Sequence, residues 1–309
     1  MIALDQKMAP GLLDIEHLER SAIEQILDRA RFFQPPPNDS YRRLESLKGK
    51  TVVNLFFEAS TRTRISFEIA ARRLGAETLT IAAQGSSVSK GESLVDTLNT
   101  LAAMRPHAIV MRHAASGAPH FLARHLKIPI VNAGDGTHEH PTQALLDART
   151  ILDHRPSLAG LRVAIIGDIA HSRVARSNVH LLSKFGAEIV LCGPPSLLPR
   201  ELADLAPGVQ LSWDMTEAIQ GADVIMMLRV QLERQHEAPM SSGEYFRFYG
   251  LRLEHLNFAK PNVIVMHPGP INRGRELSSE VADSQKSVIL NQVENGVAVR
   301  MAVLERILS

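Results

Sequence analysis

The 309-residue chain reads as an α/β protein of two domains, each with a mainly parallel sheet flanked by helices. Three observations carry that expectation. Short runs rich in Val and Ile, such as "RVAIIGD" (162–168) and "NVIVMHPG" (262–269), are apolar without alternation, as strands buried on both faces are. These runs end in Gly, Asn or charged residues and alternate with segments of helical periodicity, the pattern of parallel sheets joined by helices. The stretch "DHRPSLAGL" (153–161), with Pro156 and Gly160, leaves four runs on each side and reads as a connection between domains of roughly 150 residues.

Taken in order, "DIEHLERSAIEQILDRARFF" (14–33) is an amphipathic helix ahead of the first strand, "TVVNLFF" (51–57). A helix at about 62–74 leads to the strand "TLTIAA" (78–83), and one at about 91–104 to "HAIVMR" (107–112). Helices at about 117–126 and 141–153 flank "IPIVNAG" (128–134). After the connection come "RVAIIGD", a helix at about 172–185, then the strands "EIVLCG" (188–193), "ADVIMML" (222–228) and "NVIVMHPG". The last segment, "NQVENGVAVRMAVLERIL" (291–308), is a helix after the last strand, and terminal helices often pack back across a domain boundary. The expected domains are therefore residues 1–150 with a returning helix at 291–309, and residues 151–290.

Bulk properties narrow the function classes. Basic and acidic residues number 34 and 33, a net charge of +1, so the chain carries no global footprint for nucleic acid or membrane surfaces and any basic site is local. Cys192 is the single cysteine, which excludes an intrachain disulfide and fits a reduced, cytoplasmic setting. The start, "MIALDQKMAPGLLD", carries acids and no long apolar run, unlike a signal peptide. No segment approaches the roughly 20 apolar residues of a membrane span.

Ligands of open parallel sheets gather at the carboxyl ends of the strands, so the residues just after each run matter most. After the first strand, "EASTRTR" opens a helix with Arg62 and Arg64 in its first turn, where the helix dipole already attracts anions. A strongly anionic ligand at that point explains the placement. Ser60 or Thr61 can cap the helix, while the N–H groups of Arg62 and Thr63 can hold a phosphate. The pattern is not a Walker loop.

The second strand leads into "QGSSVSKGES" (84–93), a polar loop whose Lys90 suits an anion clamp. Arg112 and His113 directly follow "AIVM". In "NAGDGTHEHPTQALLDA" (132–148), Pro141 suits a first helical turn, which sets His140 at the helix start and Gln143 on the first turn. The positive helix end disfavours a second positive charge, so His140 is expected as a neutral hydrogen-bond donor. The pair His138 and His140 invites a zinc reading, but catalytic zinc takes three protein ligands and no third at sensible spacing is evident, so no metal is expected.

In the second half, "IIGDIAHSRVARS" (165–177) has one glycine, Gly167, where a dinucleotide turn needs three. Arg173 is placed there for an anionic substrate group. Arg229 and Gln231 follow "VIMML" and share one side if the chain stays extended. The turn "MHPGPINRGRE" (266–276) is rigid, with backbone carbonyls able to accept from a ligand amine or amide.

Together these motifs resemble the carbamoyltransferase family, and within it the aspartate carbamoyltransferase catalytic chains. The resemblance runs in order over essentially the whole sequence: "STRTR" (60–64), "SVSKGES" (87–93), "VMRH" (110–113), "HPTQALLD" (140–147), "GDIAHSRVARS" (167–177), "LRVQLER" (228–234) and "HPGPINRG" (267–274). It implies a carbamoyl-phosphate domain, an aspartate domain, a C-terminal helix returning to the first, and a homotrimer with active sites shared between neighbouring subunits. The implied reaction moves the carbamoyl group of carbamoyl phosphate to the amine of L-aspartate, in de novo pyrimidine biosynthesis, without a cofactor.

By position, the resemblance implies that Ser60, Thr61, Arg62, Thr63 and Arg112 hold carbamoyl phosphate. Thr63, Arg112 and His140 face its carbonyl oxygen and Gln143 its amide nitrogen, while backbone at Gly269 and Pro270 touches the carbamoyl group. Arg173, Arg229 and Gln231 take the aspartate carboxylates, and Lys90, with Ser86 or Ser87, arrives from the adjacent subunit. Regulatory chains or a dihydroorotase are further partners of such trimers. An ornithine enzyme would carry an "HCLP" turn and an "SMG" loop, and this chain has "HPGP" and no SMG. A non-catalytic scaffold would have lost the phosphate residues, all of which are present, and a nicotinamide oxidoreductase lacks its glycines here.

Overall fold

The computed structural model describes residues 11–35, 39, 41, 43–82, 94–230 and 240–309. The chain divides into two compact units, Met1–Leu145 with Asn295–Ser309, and Leu146–Glu294.

The first unit opens with α1 (Arg20–Phe33), in which Ile23, Ile26, Leu27, Ala30 and Phe33 are buried. That spacing makes one apolar stripe down the helix. Then follow β1 (Thr51–Phe56), α2 (Thr61–Arg73), β2 (Glu77–Ala82), α3 (Leu94–Ala103), β3 (Ala108–His113), α4 (Ala118–His125) and β4 (Ile130–Asp135). The sheet has the order β2-β1-β3-β4, parallel throughout. Leu55, Ile109, Met111 and Ile130 from its strands pack with Leu122 of α4. The expected apolar runs thus become strands whose carboxyl ends share one edge.

A short piece the sequence did not announce adds to this sheet. Leu12 forms a parallel bridge with Val131, through N–H bonds from Leu12 to Ile130 (2.9 Å) and from Asn132 to Leu12 (2.8 Å). A side chain at Gly11 would stand 2.6 Å from the Ile130 carbonyl, so only glycine passes there.

Two further helices are α5 (Pro141–His154) and α10 (Ile289–Leu308). Within the first unit, Glu305 of α10 accepts from the Arg29 guanidinium at 3.0 Å, and Arg306 donates to Gln25 at 2.6 Å. The C-terminal helix therefore returns to α1, as expected.

The second unit holds β5 (Arg162–Ile166), α6 (Arg173–Lys184), β6 (Glu188–Cys192), β7 (Gln210–Ser212), α7 (Met215–Ile219), β8 (Val224–Met227), α8 (Ser242–Tyr249), β9 (Ile264–Met266) and α9 (Ser279–Ala282). Its sheet runs β7-β6-β5-β8-β9, again parallel. Ile166, Ile225, Met227, Val265, Tyr245 and Leu251 form its core. β7 is a fifth strand where four were expected. It has three residues at a sheet edge and two are polar, so it lacks the buried apolar run that marks the others. The buried Cys192 closes β6, and burial pushes its thiol up to about 12, with Asp214 and Glu217 adding to the shift.

Candidate active site

In the first unit the chain order reverses between β1 and β3, which opens a crevice at the carboxyl edge of the sheet. The register pairs Phe56 with Arg112, so Arg112 lies beside the point where β1 gives way to α2. Arg112 donates to Glu58 at 3.0 Å and to the Ala133 carbonyl at 3.3 Å. These contacts spread its guanidinium across the ends of β1 and β4.

Ser60 is the N-cap residue of α2, but its side chain makes no capping bond. Of the two candidate caps, Ser60 takes the N-cap position without a capping bond and Thr61 is already the first helical residue, and the first helix bond runs from Arg64 N–H to the Ser60 carbonyl at 3.2 Å. A helix start whose cap hydroxyl is not spent on the backbone suits an anion. Thr61 and Arg62 are exposed and Thr63 is buried.

His140 immediately precedes Pro141, the first residue of α5. Its carbonyl accepts the N–H of Gln143 (2.9 Å) and Ala144 (3.3 Å), and both His140 and Gln143 are buried. His140 follows β4, Arg112 lies in the last two residues of β3, and Ser60 follows β1. The sheet order thus gathers Ser60, Thr61, Arg62, Thr63, Arg112, His140 and Gln143 along one edge.

The loop ahead of His140 is tied down by carboxylates. Asp135 accepts from Asn132 Nδ2 (2.8 Å), Gly117 N–H (2.6 Å), Glu139 N–H (3.1 Å) and the His138 ring (3.1 Å). Burial pushes the Asp135 carboxyl up, yet these bonds outweigh it and the net shift is downward. The bond to Asp135 raises the pKa of His138 against the opposing effect of burial. Glu139, also buried, accepts the N–H groups of Ile15 (2.9 Å) and Glu16 (3.1 Å).

His138 does have companions for a metal, though not His140: ligand atoms of His120, Asp135 and His138 lie within 4.8 Å of one another. His120 comes from α4, too far along the sequence for spacing to reveal. Both imidazoles also meet carboxylates, His138 at Asp135 (3.1 Å) and His120 at Asp14 (2.7 Å).

In the second unit the order reverses between β5 and β8. Arg173, buried, is the first residue of α6, whose cap Ser172 accepts from Ala175 N–H at 3.1 Å. Gly167 follows β5 at φ +145°, and a Cβ there would stand 2.8 Å from Leu228 Cβ, so glycine lets the chain after β8 approach. Arg229 follows Leu228 and is half-buried. Both arginines thus flank the reversal point of their own sheet.

Gly269 and Pro270 sit in the turn after β9, where Gly269 has φ +64° and donates to His267 Nδ1 at 2.7 Å. The buried Glu276 closes this turn: it accepts from Asn272 N–H (2.9 Å), Asn272 Nδ2 (2.7 Å) and Val230 N–H (3.1 Å). Burial raises its pKa and the donors partly offset the rise. Sequence reasoning did not single out Glu276 or Glu58, because Glu276 reaches Val230 across 46 residues and Glu58 reaches Arg112 across 54. The candidates Lys90, Ser86, Ser87 and Gln231 lie outside the described residues.

Two parallel-sheet units, each with cationic side chains at its reversal point, define an α/β protein with positive charge where ligands of such sheets collect. The family described as "Aspartate/ornithine carbamoyltransferase, carbamoyl-P binding domain" matches residues 11–153, and the "Asp/Orn binding domain" family matches residues 159–307. The chain belongs to the aspartate/ornithine carbamoyltransferase family. It is 76% identical, over 97% of its length and 100% of the relative's, to a protein of Solibacter usitatus named aspartate carbamoyltransferase catalytic subunit. A protein of the same name from Syntrophotalea carbinolica is 55% identical over 95% and 93% of the two chains.

Among solved structures, aspartate transcarbamoylase from Trypanosoma cruzi in complex with carbamoyl phosphate and aspartate is similar with TM-score 0.87 and 31% identity, covering 98% of each chain. Ornithine carbamoyltransferase from Pyrococcus furiosus is similar with TM-score 0.85 and 29% identity over 96% of each. The fold is therefore shared by both branches of the family, and the higher identities fall on the aspartate side.

Proposed function

We propose that this chain transfers the carbamoyl group of carbamoyl phosphate to the amine of L-aspartate, giving N-carbamoyl-L-aspartate and phosphate for pyrimidine synthesis. The observation that carries the reading is Arg112, held by Glu58 and the Ala133 carbonyl beside the uncapped start of α2. A phosphate on the N–H groups and side chains of Ser60, Thr61, Arg62 and Thr63 leaves its carbamoyl end next to that guanidinium. Arg112, Thr63 and His140 then donate to the carbonyl oxygen, and Gln143 accepts from the amide nitrogen.

Attack by the neutral aspartate amine forms the new C–N bond and puts negative charge on that oxygen, where preorganised donors act most strongly. Collapse breaks the C–O bond to phosphate, and the proton lost by the former amine leaves on that phosphate. The step needs no cofactor, and much of its rate comes from holding two anions together against their repulsion.

The second unit selects the acceptor. Arg173 and Arg229 offer one guanidinium to each carboxylate of aspartate, and Gln231 and Lys90 complete the set in this reading. Ornithine would bring its ammonium against one of those arginines, a like-charge contact that costs several kcal/mol where water is excluded. Arg229→Ala should raise the aspartate KM steeply and lower turnover while carbamoyl-phosphate binding stays nearly unchanged. A loss of thermal stability with unchanged aspartate KM would reduce Arg229 to a loop anchor.

The same reading makes the chain a cytoplasmic homotrimer with Lys90 serving the neighbouring site, open to regulatory chains or a dihydroorotase. Ile65 of α2, Leu79 of the edge strand β2 and Met104 after α3 are 42%, 57% and 70% exposed, which supports burial against another copy. Among the described residues no helix is long and apolar enough to cross a membrane. Mixing Lys90→Ala with Arg62→Ala subunits tests the shared sites: activity should return on reassembly, and its absence in confirmed mixed trimers would refute them.

A further inference from the structure

We propose that Gln292 is a positioning residue for the transfer step: its side-chain amide, oriented by Asp147, holds the turn that carries Gly269 and Pro270. The proposal rests on the reading above, in which that turn presents its backbone to the carbamoyl group. Gln292 touches no substrate in this account and acts through the backbone of His267.

The geometry is a directed chain of buried hydrogen bonds. Gln292, in the first turn of α10, accepts the His267 N–H through Oε1 at 2.9 Å. An amide that accepts at one end presents only donors at the other. Gln292 Nε2 donates to Asp147 Oδ1 at 2.7 Å, and Asp147 Oδ2 accepts from Asn178 Nδ2 at 2.9 Å. Asn178 Nδ2 also donates to the Val174 carbonyl at 3.0 Å.

His267, Gln292, Asp147 and Asn178 are all buried, so an error in polarity anywhere along the chain leaves a donor or acceptor out of reach of water. Asp147 sets the direction. A carboxylate accepts at both oxygens, which forces the Gln292 oxygen toward His267 and the Asn178 amide nitrogen toward itself.

The turn is thereby fixed from outside at its first residue. Inside it, His267 Nδ1 takes the Gly269 N–H, and at its far end Glu276 takes Asn272. Losing Gln292 frees the start of the turn and shifts Gly269 and Pro270 by the fraction of an ångström that matters to a reacting group. Asp147 is the last residue of the segment "HPTQALLD", and this contact gives it a role that binding of either substrate does not.

The test uses the full-length chain in its native assembly. Gln292→Leu should lower kcat about 10-fold or more, with the affinity for inorganic phosphate unchanged within about 2-fold, because phosphate is held at α2. Asp147→Asn should do the same, since an amide there presents a donor to either Gln292 or Asn178.

The polarity swap Asp147→Asn with Asn178→Asp restores an acceptor for Gln292 Nε2, although it gives up the donor to the Val174 carbonyl, and should recover part of the lost kcat. Should Gln292→Leu not fold, the single and swapped Asp147 variants decide alone. Folded single variants with kcat within about 2-fold of the parent, or a swap no better than Asp147→Asn, would overturn the proposal. A parent protein that does not carbamoylate aspartate overturns the functional reading instead, so the two failures are distinguishable.

Discussion

Replacing Arg112 by Met separates two roles that the structure assigns to one side chain. The Arg112 and Glu58 side chains are 12% and 15% exposed and their charges meet at 3.0 Å. Removing one partner of a fully buried pair costs about 3–5 kcal/mol, mainly because the other charge is left uncompensated. Residual access of water to Glu58 reduces this, so a loss of about 2 kcal/mol is expected. For a unit of about 150 residues that corresponds to a fall in Tm of about 4–8 °C.

Loss of a donor at the developing oxyanion is a separate effect, worth about 100–1,000-fold in kcat. Glu58→Gln in the same chain removes the stranded charge. The double variant Arg112→Met/Glu58→Gln should therefore regain most of the Tm but none of the kcat. Thermal melts and initial rates at saturating substrates, on one preparation, read both. If the double variant recovers activity along with stability, Arg112 acts only by neutralising Glu58 and the catalytic reasoning is wrong.

Arg62→Ala should leave the fold intact and weaken carbamoyl-phosphate binding by about 10–100-fold, the worth of a charge-assisted hydrogen bond, and calorimetric titration measures it. His138 has a raised pKa through Asp135, so its contribution to stability is complete below about 6.5 and disappears as pH rises through the higher folded value. His138→Asn should accordingly lower Tm at pH 6 and have less effect as pH climbs above neutrality; a Tm deficit that grows with pH would contradict the pairing. Dialysis against a chelator should leave turnover unchanged, and restoration by a divalent cation after a loss would show that the His120, Asp135 and His138 cluster holds a functional ion.

Much of this architecture can be read from the chain because buried parallel strands need uninterrupted apolar runs, and the ends of those runs mark where ligands collect. Arg112 and His140 stand out for that reason: a charge closing "AIVM", and an imidazole just before a helix-starting proline. What escapes is held by contacts distant in sequence or by position at an edge. β7 gains its place from pairing with β6, not from its own composition. Glu139 binds the N–H groups of Ile15 and Glu16 across more than 120 residues, and Gln292 meets Asp147 across 145. Ser60 looks like a helix cap by residue type, and only geometry shows its hydroxyl uncommitted to the backbone.

The central claim is the identity of the reaction, and one assay addresses it most directly. Purified protein is supplied with carbamoyl phosphate and either L-aspartate or L-ornithine, and the carbamoylated amino acid and phosphate are quantified together. The account predicts N-carbamoyl-L-aspartate and phosphate in equal amounts, with no enzyme-dependent carbamoylation of ornithine. Carbamoylation of ornithine in preference to aspartate, or of neither, would contradict it.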